Sequence, residues 1–173
     1  MIETPRLLLR LFRDQDREPF ARLNADPHVM RYFPAPLTRA GSDAMVDKIQ
    51  AHYRTHGFTL YAAERRDTNE FIGFVGLAIP GFETHFTPCV EIGWRLAAAH
   101  HNQGFATEAA RAVLHHAFQN LALREIVSFT VPANLPSRRV MEKIGMHFDS
   151  EFDHPRLPES PPLRRHGRDR NAG

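Results

Sequence analysis

The chain has 173 residues, 42% apolar and 24% charged, which is ordinary globular composition and suits a single domain over 1–173. A net charge of +2, with a sequence pI near 9.0, is too small to imply nucleic-acid binding, and one cysteine, Cys89, excludes an intramolecular disulfide framework and a four-cysteine zinc site. No apolar run approaches the ~20 residues that span a bilayer, and Met1 to Arg6 has no basic region followed by a hydrophobic stretch, so the expectation is a cytoplasmic chain without a membrane partner.

In chain order, Leu7 to Phe12 is an apolar run reading as a strand, followed by a helix capped at Asp14 that stops before Asp26-Pro27. Pro34 and Pro36 mark a loop, and Thr38 caps a longer helix carrying Ala44, Met45, Ile49 and Tyr53, which Gly57 ends. Phe58 to Glu64 and Glu70 to Ile79 read as a hairpin turned by Asp67-Thr68-Asn69. Val90 to Leu96 alternates as a strand with Gly93 inside it, the mark of a bulge or of close backbone approach.

The stripe Ala106, Ala109, Ala110, Val113, Leu114, Ala117, Phe118 and Leu121 predicts the next helix. Arg124 to Val131 is β-branched and reads as a strand, Pro136 suits the first turn of a helix ending at Gly145, and a last strand runs from Met146 to about Phe152. The prolines from Pro155 onward and the arginines at 164, 165, 168 and 170 predict an irregular tail over about 155–173. The element order describes an α/β (α+β) domain around a mixed sheet.

His100-His101-Asn102-Gln103-Gly104-Phe105-Ala106-Thr107-Glu108-Ala109 lies between a strand and that well-marked helix, where free backbone N–H groups and the helix dipole favour a phosphate. Taken alone it also reads as a plain strand-to-helix turn capped by Thr107 or Asn102. Its company weighs on the other side. The turn resembles the CoA-binding signature of the GNAT superfamily of N-acetyltransferases, in the branch that includes the ribosomal-protein N-terminal (alanine/serine) acetyltransferases. Asn134 to Met146 resembles the same branch's second motif, and Thr4 to Arg10, Ile72 to Leu77 and Glu91 to Trp94 match its strands. The resemblance spans roughly 3–166 and implies a mostly antiparallel central sheet flanked by helices, the acyl-CoA N-acyltransferase fold.

It also implies acetyl-CoA as co-substrate and a primary amine, on a small molecule or a protein N-terminus, as acceptor. The signature's first position is His101 here, where relatives carry glutamine, arginine or an aromatic. By resemblance the cofactor lies against Ile92, Gly93, Trp94 and Leu96, then His101, Gln103, Gly104, Phe105, Ala106 and Thr107, and finally Asn134, Ser137 and Met141. An N–H near Gly93 polarises the thioester carbonyl, and the two strands holding the pantetheine splay through a bulge in one and Pro132 in the other. The resemblance leaves a homodimer open.

Transfer needs a neutral amine, so a base must act on a lysine-type or N-terminal ammonium. Glu91, beside the thioester site, is that candidate, read otherwise as a solvent-facing or arginine-paired glutamate. Many relatives protonate the leaving thiolate with a tyrosine, but Met141 stands at that position, leaving Ser137, which can equally cap its helix. Asn134 suits a pantetheine hydrogen bond. Tyr32, Phe33, Phe58 and Phe82 are candidates for the acceptor pocket. His52 and His56 lack the glutamate of a zinc-protease pattern and read as a solvated helix face, so no metal site is expected. Two rival readings are a CoA-binding module without turnover and a different nucleotide-binding α/β protein.

Overall fold

The computed structural model of the chain describes residues 1–157 and 160–170. Its strands are β1 Ile2–Glu3, β2 Leu7–Arg10, β3 Leu60–Arg65, β4 Phe71–Ala78, β5 Glu91–Leu96, β6 Glu125–Thr130, β7 His147–Phe152 and β8 Leu163–Asp169. The helices are α1 Arg17–Ala25, α2 Pro27–Met30, α3 Arg39–His56, α4 Phe105–Gln119 and α5 Leu135–Lys143. The strands form one sheet in the order β1-β2-β3-β4-β5-β6-β8-β7. Every neighbouring pair is antiparallel except β5 and β6, which run parallel.

Local chemistry sets most boundaries. The Thr38 hydroxyl accepts from the Gly41 amide at 3.1 Å to open α3, and Gly57 closes it at φ 76°. The Asp26 carboxylate accepts from the His28 amide and starts α2 behind Pro27, one turn of helix between the end of α1 and the loop at Pro34. Ahead of α1 the working carboxylate is Asp16, not Asp14. Asp16 accepts the Arg13 amide at 2.7 Å and is buried against Arg10, whose guanidinium also holds Glu64. This triad ties α1 to the β2–β3 pair.

Two apolar layers sandwich the sheet. On one face α4 lays Ala109, Ala110, Val113, Leu114 and Ala117 on Leu7, Leu9, Ile72, Val75 and Ile92. On the other, Phe20 and Leu23 of α1 with Val46 and Ile49 of α3 cover Ala62 and Phe74.

The expectation of an irregular tail is corrected: residues 163–169 form β8, inserted between β6 and β7. Its arginines are matched across the sheet, which is why so polar a segment fits there. Arg165 pairs with Glu125 on β6 and Asp149 on β7, while Arg164 lies 4.3 Å over the Phe148 ring. His166 is 3% exposed, edge-on to Phe148.

Candidate active site: a gap in the sheet beneath a helix start

Helix α4 begins on a turn with two left-handed residues, Asn102 at φ 59° and Gly104 at φ 83°. Gly104 is the N-cap, and no side chain caps it; the first intrahelical bond runs from the Glu108 amide to the Gly104 carbonyl at 3.0 Å. The amides of Phe105, Ala106 and Thr107 therefore meet no partner within the helix, the arrangement that receives a phosphate. The turn capped by Thr107 or Asn102 is not what forms.

Neighbouring side chains hold this turn rigid. The Glu108 carboxylate accepts from the Thr4 hydroxyl at 2.7 Å, the Arg6 amide at 2.9 Å and the Arg6 guanidinium at 2.6 Å, and Arg6 also reaches the Gln103 carbonyl at 3.0 Å. Desolvation pushes the Glu108 carboxyl up, but these hydrogen bonds outweigh it and hold it below the ordinary carboxylate range. The Thr4-Pro5-Arg6 motif is thus explained as a clamp on the anion turn. Sequence reading had noted the residues without their purpose.

Gln103 folds its side chain onto the Ala99 carbonyl at 2.7 Å, leaving its amide as the group available to a ligand. Phe105 is buried under the Arg6 guanidinium, 4.4 Å from the ring centre, so it too offers only its amide. Ala106 and Thr107 line the cleft beside Gly104. His101 lines it as well, with its ring nitrogen bound to the Leu96 carbonyl at 2.8 Å.

The cleft, about 1430 Å³, passes between β5 and β6. These strands pair at one register alone, Glu91 with Val127, and then diverge. Meanwhile β5 stays in register with β4 through Leu96, and β6 stays with β8 through Thr130. The expected causes of the splay are corrected: β5 has no bulge at Gly93, which pairs with Gly76 in unbroken register, and Pro132 lies beyond the end of β6.

Strand alternation fixes which groups face the gap. The Val90 carbonyl accepts the Val127 amide at 3.0 Å, and the Ala97 amide donates to the Ile72 carbonyl at 2.9 Å. The main-chain groups of Glu91, Gly93 and Arg95 therefore point at β4, while those of Ile92, Trp94 and Leu96 point into the gap. Gly93's own amide is turned away and the Ile92 amide closes the single bridge to β6 at Val127, so the free donor beside Gly93 is that of Trp94. The Ile92 side chain is wholly buried in the α4 layer, and Trp94 and Leu96 pack there too. Opposite them, the main-chain groups of Phe129 on β6 face the gap by the same alternation, a position sequence reasoning missed.

On the α1–α3 face of β5 stand Glu91, Gly93 and Arg95. A side chain at Gly93 would meet nothing within 4 Å, so the sheet is open there. Glu91 lines the cleft, partly exposed to it, and has no ion-pair partner among the described residues. Burial pushes its carboxyl up to about 8. Tyr32 and Phe33 line the same side. Phe58 is a core residue at 7% exposure, and Phe82 joins an aromatic cluster with Phe129, Phe152 and His154.

On the other face, Asn134 caps α5, its carboxamide oxygen accepting from the Ser137 amide at 3.3 Å and its nitrogen donating to the Thr130 hydroxyl at 3.0 Å. Asn134 thus does the capping, and the Ser137 hydroxyl faces the cleft without a cap to serve. Met141 does not line the cleft; at 1% exposure its side chain fills the core beneath α4. Ser137, one turn earlier on α5, and the adjacent Val140 line the cleft, whereas Met141 is packed into the core with Ile144 and Met146.

The remaining candidates are structural. His52 bonds the Phe58 carbonyl through Nδ1 at 2.8 Å and accepts the Ile79 amide through Nε2 at 3.1 Å, so it bridges α3 to the hairpin and is not a solvated residue. Burial raises the Cys89 thiol to about 11. Among the described residues no cluster of three or more His, Cys, Asp or Glu could hold a metal, and no helix is long and apolar enough to cross a membrane.

A sheet split between two parallel strands, with uncapped amides at the mouth and a carboxyl at the floor, is the architecture of an acyl-transfer enzyme using an extended, phosphate-bearing donor. Residues 6–147 match the family model described as an acetyltransferase (GNAT) domain, and the chain belongs to that family as an N-acetyltransferase. It is 33% identical to the uncharacterized N-acetyltransferase YnaD of Bacillus subtilis, over 87% of this chain and 85% of that protein. It is 30% identical to the FsC-acetyl coenzyme A-N(2)-transacetylase of Aspergillus fumigatus, over 88% of this chain and 67% of that one. A GNAT-family acetyltransferase structure from Bacillus anthracis superposes at TM-score 0.83 with 28% identity, covering 98% of each chain. The ribosomal-protein-S5-alanine acetyltransferase of Vibrio fischeri shares the fold at TM-score 0.78 with 14% identity, over 98% and 96% of the two chains.

Proposed function

We propose that this chain transfers acetyl from acetyl-CoA to a primary amine by direct attack within a ternary complex. The observation that carries the reading is the continuity of uncapped α4 amides with a gap whose walls are unpaired main chain. The diphosphate binds the amides of Gln103 to Thr107, with Arg6, Arg139 and Lys143 adding positive charge around them. The pantetheine arm extends along β5 as an added strand, bonding Ile92, Trp94 and Leu96 through their main chain. The Trp94 amide polarises the thioester carbonyl, a contribution of ~3–4 kcal/mol to the barrier by analogy with other oxyanion donors.

The acceptor enters from the α1–α3 face, where Glu91 takes the proton from its ammonium, directly or through one water. Ser137, on the opposite face, returns a proton to the departing thiolate, whose basicity resembles that of a cysteine, ~8.5. Met141 adds only core packing, so the usual tyrosine has no substitute at that position and Ser137 carries the step.

Calorimetric titration with CoA, followed by thiol release from acetyl-CoA over a panel of primary amines, tests the reading. Saturable binding with amine-dependent release supports it. Binding with no release on any amine leaves a CoA-binding module, and absence of binding overturns the assignment of the α4 turn.

A further inference from the structure

Arg95 lines the cleft, and the acetyl-transfer reading gives its side chain no role. Its side chain rises from β5 two residues past Gly93, on the same face as Glu91. The guanidinium sits between rings, 4.2 Å from the centre of Phe33 and 5.5 Å from that of Phe74. Nη1 donates to the Asn24 carboxamide oxygen at 2.6 Å, and the Met45 sulfur lies 4.0 Å away. Asn24 is itself fixed, buried and bonded to the Ser42 hydroxyl at 2.9 Å.

What is missing is an anion. The buried Arg10 has Asp16 and Glu64, and the buried Arg165 has Glu125 and Asp149. Among the described residues Arg95 forms no salt bridge, its Nε is buried without a hydrogen-bond partner, and Nη2 makes no hydrogen bond. The side chain is half-buried and open to the cleft, so the guanidinium is partly stripped of water with no counter-charge beside it, a state that an anion entering the cleft would relieve. Burial accordingly lowers the Arg95 pKa to about 10, still well above neutrality, so the charge persists. The void beside it belongs to the cleft, which Tyr32, Phe33, Met45 and Phe74 line together with Arg95 and Glu91.

Resting on the acetyl-transfer reading, we propose that the acceptor is a small zwitterion whose carboxylate binds Arg95 while its amine stands at Gly93 and Glu91. Three alternate residues of one strand set the spacing: Glu91, Gly93 and Arg95 lie ~6.6 Å apart in succession along β5. A base at one end and an unpaired guanidinium at the other complement an ammonium and a carboxylate separated by a few bonds. Between them the open floor at Gly93, where a β-carbon would meet nothing within 4 Å, leaves room for a short aliphatic spacer. In a peptide the N-terminal residue's own carboxylate is tied up as an amide, so this chemistry favours a free amino acid over a protein acceptor.

The test compares straight-chain amino acids of one to five methylenes with their carboxamides, in the parent enzyme and in Arg95→Gln and Arg95→Lys. Two readouts are taken: thermal stabilisation of the CoA-bound protein by each compound, and kcat/KM from thiol release. The parent is expected to favour the acid at the best length by at least tenfold, and to be stabilised by acids and not by amides. Arg95→Gln should lose that preference, chiefly in KM, while its rate on amides stays within about threefold and its affinity for CoA is unchanged; Arg95→Lys should recover part of it.

An acid-to-amide ratio near one in the parent overturns the proposal, as does a preference that survives in Arg95→Gln or a peptide N-terminus preferred over every amino acid. The stabilisation readout needs no turnover. Acids that stabilise the parent selectively, with no thiol released, uphold the Arg95 site and sink the acetyl-transfer reading instead.

Discussion

Replacing Glu91 with glutamine keeps the shape of the cleft floor and removes its proton acceptor, and the pH dependence of the loss distinguishes a base from a wall. With the carboxyl at about 8, the carboxylate fraction rises tenfold per pH unit below that point and saturates above it. The parent enzyme works through carboxylate plus ammonium acceptor. Glu91→Gln must use the acceptor already deprotonated in water, and the ratio of free amine to ammonium rises tenfold per unit throughout. Parent rate divided by variant rate is therefore level below about pH 8 and falls about tenfold per unit above it, whatever the acceptor's own pKa. A positioned base contributes ~10²–10⁴-fold, which is the expected plateau; two units above the break the ratio should be about a hundredth of it, or one if that is larger. The assay is kcat/KM for the amine at saturating acetyl-CoA between pH 6 and 10. A ratio independent of pH refutes the base. A decline already under way at pH 6 refutes burial as the origin of its basicity.

The same substitution changes stability. Glu91 is raised from 4.5 to about 8 in the folded state, so its contribution is fully present below pH 4.5 and lost as pH climbs toward 8. Glu91→Gln should melt with the parent at pH 4.5 and increasingly above it by pH 8.5, as read by scanning calorimetry. Gly104→Glu puts a carboxylate at the diphosphate site on a residue at φ 83°, a strain of ~1–2 kcal/mol by itself, and CoA affinity should drop at least tenfold in a protein that still folds. Glu108→Ala cuts the clamp to Thr4 and Arg6 and should lower stability by about 1–2 kcal/mol in denaturant titration. Because Glu108 is held below its ordinary pKa, that deficit is present above about pH 4.5 and fades as the solution is acidified through the folded-state value.

Much of the fold was legible because its signals are local. The Thr38 cap, the Gly57 stop and the apolar stripe of α4 act within one turn of chain, and all three fall where the residues put them. The strand β8 was not legible for the opposite reason. Leu163 to Asp169 has few apolar residues, and its place in the sheet rests on Glu125 and Asp149, which are distant in sequence and adjacent only after folding. The partnership of Thr4 and Arg6 with Glu108 is equally non-local: the motif was visible, its target was not. At the site, Glu91 and Ser137 were singled out by residue type and company, and both line the cleft. Met141 lies in the core and not on the cleft, because a position in a motif does not tell which distant residues, here Val113, Leu114 and Ala117 of α4, fold over the side chain.

The placement of the chemistry follows from parity along β5. Even-numbered residues turn their main chain to the gap and their side chains to the α4 layer, and the odd-numbered Glu91 and Arg95 turn their side chains to the α1–α3 face. A slip of one residue against β4 would exchange the two sets and leave neither a donor row nor a base. Close approach at Gly73, where a β-carbon would come within 2.1 Å of the Arg95 carbonyl oxygen, holds β5 against β4 in this register. Gly76, where a β-carbon would come within 2.3 Å of the Thr59 carbonyl oxygen, does the same for β3 on the other side of β4. A larger residue at Gly73 would push β4 and β5 apart or along, and with them the groups of β5 that face the gap.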